Sequence, residues 1–168
     1  MIRVTTTVLL FISLLVASVA AKGPTTRIVI TDIERGSVSE ITSRSVLDKF
    51  QVWAGRGTYS GAADQQTEGT EGFIVDWPAG TVEQRPGRLR RYELRFYVAP
   101  RNGPGEELAY VVLYEHDAAA ARGYVFLPGR SDKHFGLNVG SIYRGLEGHW
   151  LRANDAWQSV FAALPAAR

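Results

Sequence analysis

The chain has 168 residues, 45% hydrophobic and 21% charged, with 19 basic against 17 acidic side chains and a formal net charge of +2. These proportions belong to a soluble globular domain and exclude a collagen-like, coiled-coil or wholly disordered chain. Cysteine is absent, which removes disulfide scaffolds, thiol redox chemistry, lipidation on an N-terminal cysteine and cysteine-based zinc sites together.

Residues 1–21 have the layout of a secretory signal peptide. Arg3 is their single cation, residues 8–19 are apolar, and Val19, Ala20 and Ala21 place small side chains before Lys22. The apolar run is too short to span a bilayer comfortably, and its end suits a signal peptidase. The expectation is a leader over 1–21 and one globular domain over 22–168, exported to a periplasm or the medium, with no stable membrane span after cleavage. Lysine occurs only at Lys22, Lys49 and Lys133, and no Asn-x-Ser/Thr site is present. That composition fits a bacterial exported protein.

In chain order, residues 27–33 (RIVITDI) read as an opening strand closed by a turn at Gly36. Thr42 or Ser43 then caps a short N-terminal helix in which Val46, Leu47, Phe50 and Trp53 share one face. Residues 55–72 are polar and glycine-rich, a loop longer than usual connections. Residues 72–77 (GFIVDW) are strand-like until Pro78.

The clearest signal is residues 89–98, where Tyr92, Leu94, Phe96 and Val98 alternate with Arg91, Glu93, Arg95 and Tyr97. With PRNGPGE as the turn and residues 108–115 as the return strand, this predicts a long antiparallel hairpin at the centre of a sheet. Residues 124–127 give another strand, and 135–139, 141–143 and 148–152 give shorter candidates. Asn154 caps a final helix whose Trp157, Val160, Phe161 and Leu164 form a stripe at i, i+3, i+4 and i+7. The fold class is therefore α+β: a curved antiparallel meander with a short N-terminal helix and a C-terminal helix packed on it, a partly closed barrel being the alternative.

Charge is unevenly spread. Residues 62–84 carry Asp64, Glu68, Glu71, Asp76 and Glu83 and no base, whereas residues 85–101 carry Arg85, Arg88, Arg90, Arg91, Arg95 and Arg101 against Glu93 alone. The arginines read either as a site for phosphate, carboxylate or polyanion, or as a block neutralised by the acidic loop folding back. The near-zero net charge and export argue against a nucleic-acid partner.

Complete catalytic signatures are absent. There is no G-x-S-x-G elbow, no S-x-x-K pair and no phosphate loop, and the three histidines match no metal-ligand spacing. No cofactor is implied. If a metal site exists, His116 and Asp117 are its first candidates. Asp76, Glu93 and Glu115 are the candidate carboxylates for hydrolysis, which needs a pair of them. Arg91 and Arg95 with Tyr97 and Trp77 are the candidate ligand-binding set, lining a concavity of the curved sheet.

The phrases VWAGRGT (52–58), DWPAG (76–80), LRRYELRFYV (89–98), AYVVLYEHD (109–117), GYVFLPG (123–129) and LNVGSIYRGLEGHW (137–150) resemble small exported bacterial proteins of unknown function. That resemblance carries no activity and no functional residue. The expected role is an exported, non-catalytic domain that binds a small molecule or a cell-envelope component through the arginine-rich hairpin and the 55–72 loop. The alternatives are a carboxylate-dependent hydrolase of cell-wall or polysaccharide substrates, and a structural envelope protein.

Overall fold

Alternating apolar and polar residues create strands with one face to bury, and here six of them meet edge to edge. A computed structural model describes residues 23–55, 72–100, 102–139, 142–143 and 145–164. Its strands are β1 Thr25–Asp32, β2 Val38–Ile41, β3 Arg90–Val98, β4 Glu107–Asp117, β5 Arg122–Leu127 and β6 His149–Arg152. They form one sheet in the order β2-β1-β3-β4-β5-β6, and every neighbouring pair is antiparallel. Two short helices, α1 Arg44–Leu47 and α2 Asp155–Ala162, accompany it.

The sheet is open, with β2 and β6 at its two edges, so the barrel alternative does not describe it. Nor is it a plain meander. Strands β3 to β6 follow one another, but β1 and β2 form a hairpin added beside β3. The sequence reading missed β2, whose VSEI carries no long alternation. The expected strand over 72–77 is reduced to a single bridge from Val75 to Ala153, followed by a 3-10 turn at Trp77–Ala79. Pro78 lacks the N–H that a continuing strand would donate. This segment still covers the outer edge of β6, because Asp76 N donates to Arg152 O at 2.9 Å and Val82 N to Trp150 O at 2.7 Å. Residues 135–137 form a 3-10 turn instead of a strand.

The helix expected to run towards Gly55 is present only as the single turn α1. After it the chain is drawn away by tertiary bonds: Gln51 N donates to Gly72 O at 2.8 Å, and Thr25 Oγ1 donates to Phe50 O at 2.8 Å. Phe50 nevertheless reaches the core fully buried, while the Trp53 indole donates to Gly23 O at 3.0 Å.

One sheet face makes the core. Ile28, Ile30, Leu94, Phe96, Tyr110, Val112, Tyr114, Val125 and Leu151 are buried there beneath Leu47, Phe50, Val52, Phe73, Tyr143 and Trp157. Trp157 meets Phe50 edge-on at 5.2 Å and Tyr114 edge-on at 6.2 Å. Removing such a side chain forfeits about 3–5 kcal/mol. Asn154 fixes where α2 begins, since its Oδ1 accepts from Trp157 N at 2.8 Å and its Nδ2 donates to Phe73 O at 2.8 Å. The Tyr143 hydroxyl ties the cover down by donating to Val52 O at 2.5 Å.

The opposite face carries the other half of each strand: Arg27 and Val29 of β1, Arg91, Glu93, Arg95 and Tyr97 of β3, Leu113 and Glu115 of β4, and Phe126 and Trp150 of β5 and β6. Among the described residues it is only partly covered. Asn138 clips onto β4, accepting from Val111 N at 2.5 Å and donating to Val111 O at 3.2 Å.

Candidate functional site

The arginine block lies across the open face, and most of its side chains have partners. Arg91 donates from Nε at 3.0 Å and Nη2 at 2.6 Å to Glu115 Oε1, while Arg85 pairs with Glu115 Oε2. Glu115 is 3% exposed, so one buried carboxylate orients two guanidinium groups side by side. Arg85 is also laid over the Trp150 ring at 3.7 Å. Arg95 donates to Glu93 Oε1 at 2.5 Å, a bond that raises the arginine's pKa. Glu93 Oε2 stands 3.2 Å from the nearly buried His134 Nδ1. Burial lowers the His134 pKa more than Glu93 raises it.

Among the described residues, the acids paired with the arginine block are Asp32, Glu93 and Glu115. Arg90 pairs with Asp32 on the core side, donating from Nε to Oδ2 at 2.6 Å. Of the acidic stretch, Asp76 accepts from Ala79 N at 3.3 Å and so shapes the 3-10 turn, whereas Asp64, Glu68 and Glu71, like Arg101 of the basic block, lie outside the described residues. Arg88 is exposed and adopts φ +39°, a left-handed conformation unusual for a residue with a Cβ. Together Arg85, Arg88 and Arg91 line a cleft of about 550 Å³, with Glu115 at its base and Glu34 and Glu83 among its walls.

The expected ligand set does not converge. Arg91, Arg95 and Tyr97 share the open face, but Arg91 belongs to the cleft, Arg95 to Glu93, and Tyr97 to Arg27, whose guanidinium lies 4.2 Å over the phenol ring. Trp77 is on the other side of the sheet, packed at 5.2 Å against the core residue Tyr143. Its sequence neighbourhood gave no warning, because the strand phase expected for residues 72–77 ends at the bridge at Val75.

Of the three carboxylates, Asp76 is set apart from the other two. Glu93 and Glu115 are diagonal neighbours on β3 and β4, each engaged by arginine. Asp76 lies beyond Arg152 in the row Glu115, Tyr124, Arg152. That is three strand spacings, or about 14 Å, from Glu115. His116 and Asp117 are successive residues of β4 and so point to opposite faces. Asp117 accepts from Ala119 N at 3.1 Å and Ala120 N at 3.2 Å, while His116 packs against Phe161 at 5.1 Å. Among the described residues no three His, Cys, Asp or Glu side chains are grouped to hold a metal ion.

The sequence reading does not single out Asp32, and it places Arg90 only within the arginine block. Their signal was phase: both sit on the apolar side of a period-two pattern, where a charge needs a partner.

No family model, curated protein or solved structure matches this chain.

Proposed function

We propose that this is an exported, non-catalytic binding domain whose Arg85, Arg88 and Arg91 cleft takes an anionic ligand: a carboxylate or phosphate, on a small molecule or on a cell-envelope component. The observation that carries the reading is the buried Glu115, each of whose oxygens holds an arginine of the cleft. Two guanidiniums against one carboxylate leave the Glu115 cluster itself with one positive charge in excess. Their fork geometry is already fixed, which spares the ordering entropy that a free arginine loses on binding. Stacking on Trp150 restrains Arg85 further, and the exposed Arg88 adds a third fork. Glu34 and Glu83 are exposed at the rim, where solvent and salt screen them. Binding is favoured over carboxylate hydrolysis because both oxygens of Glu115 already accept from guanidinium groups and Glu93 is held by Arg95.

The test is titration of the purified chain with phosphate and citrate, following arginine Nε–H resonances by NMR. Arg88→Ala leaves the Glu115 cluster intact and is expected to weaken binding at least fivefold, with affinity falling as salt rises. Absence of saturable shifts at Arg85 and Arg91, or equal affinity in Arg88→Ala, would overturn the assignment. Export is tested by mass: protein from the exported fraction is expected to begin at Lys22, and retention inside the cell with residues 1–21 attached would refute it.

A further inference from the structure

On the core side of the sheet, the described residues leave the floor beyond α2 incompletely covered. Beyond Phe161 the half-buried side chains of Tyr92 and His116, over the buried Ile30, line a cleft of about 200 Å³, walled on the helix side by Phe161 and Leu164. Its body is aromatic: Tyr92 meets Phe161 edge-on at 4.9 Å, and His116 lies 5.1 Å from Phe161.

Its other end is polar and contains an excess of donors. Asp32, 2% exposed, accepts at Oδ1 from Glu34 N at 2.9 Å and Arg35 N at 3.0 Å, and at Oδ2 from Arg90 Nε at 2.6 Å and Nη2. Burial opposes its ionisation, yet these bonds hold its pKa below the usual carboxylate value. The acid is thus saturated. Arg90 is not: two of its five N–H donors are directed at Asp32, which leaves three. Its guanidinium is held 5.4 Å from the Tyr92 ring. The Ser37 hydroxyl at the same end is shielded from solvent and has no hydrogen-bond partner.

An occupant must therefore supply acceptors to a planar fork and an apolar ring to the aromatic walls. A carboxylate matches the fork bidentately. An apolar cavity of about 150 Å³ accepts benzene, so this volume accommodates one ring with a small substituent. We infer that the cleft formed by Arg90, Ser37, Tyr92, His116 and Phe161 is a second binding site, specific for a monocyclic carboxylate the size of benzoate. It lies on the opposite sheet face from the Arg85, Arg88 and Arg91 cleft and uses none of its residues.

The full chain is titrated with benzoate, benzyl alcohol and benzylammonium, reading the Arg90 Nε–H and Phe161 ring resonances by NMR. Benzoate is expected to saturate these shifts and to bind at least tenfold more tightly than either other probe. Ala162→Phe fills the cleft from an exposed helix position without touching the Asp32–Arg90 pair and is expected to abolish binding. Arg90→Gln is expected to erase the preference for benzoate in the Phe161 ring shifts. The inference is overturned if benzoate gives no saturable shift, if benzyl alcohol binds equally, or if Ala162→Phe binds as well as the parent.

Discussion

Asn154→Ala tests whether the sheet cover is anchored as described. With eight residues, α2 is too short to hold itself together, so its stability comes from Trp157 and from its cap. The substitution deletes two bonds of different kinds. Loss of the cap to Trp157 N costs about 1 kcal/mol. The Phe73 carbonyl, on a fully buried residue, then loses the Nδ2 donor, for about 1–2 kcal/mol more. The sum, about 2–3 kcal/mol, lowers the melting temperature by about 6–9 °C at roughly 3 °C per kcal/mol for a chain of this size. Asn154→Ser separates the two contributions, since serine still caps the helix but cannot reach Phe73 O as a donor; it is expected to lose only the second. Urea unfolding followed by tryptophan fluorescence and circular dichroism measures both. If Asn154→Ala lies within about 0.5 kcal/mol of the parent, or if Asn154→Ser costs as much as alanine, the account of α2 is refuted.

Three further outcomes are expected. Tyr143→Phe removes the 2.5 Å bond to Val52 O from a fully buried ring and is expected to cost about 1–2 kcal/mol in the same unfolding assay; an unchanged midpoint would show that the hydroxyl is not holding the cover. Gly129→Ala places a Cβ 2.9 Å from Gly148 Cα and 3.1 Å from Gly148 N, backbone against backbone, and is expected to destabilise by about 1–3 kcal/mol; neutrality would mean the two chains part freely. Burial lowers the folded pKa values of His116 and His134 below 6.5. The unfolded chain therefore binds protons first, so stability falls as pH drops below about 6.5, by at most about 1.4 kcal/mol per pH unit for each histidine. His134→Gln is expected to flatten that slope in urea titrations between pH 7.5 and 5, and a parent profile already flat there would contradict the sign.

Much of the fold was legible where the pattern was long. The alternation in β3 and the cap and stripe of α2 fixed both elements to within a residue or two, because period-two and i, i+4 patterns record which face is buried. Short elements were not legible: β2 has four residues, and α1 keeps one turn because bonds from Thr25 and Gly72 redirect the chain after Leu47. The candidate site was half visible. The arginines were evident, but which carboxylate each would meet depends on cross-strand register, and Glu115 meets Arg91 only because β3 and β4 pair those two positions. Trp77 was assigned to the wrong face because its strand ends early.

The placement of β3 next to β1 also sets the order in which the sheet can assemble. Strands β3 to β5 close through short connections and β6 follows residues 128–148, but Asp32 and Arg90 are 58 residues apart in the chain. Joining them requires closing a long loop, so the local meander is expected to gather first and the β1–β2 hairpin to dock later. Until it does, one side of β3 presents unpaired N–H and C=O groups, the stretch most exposed to pairing with another chain. The first strand of the sheet is thus paired with β2 early and with β3 late.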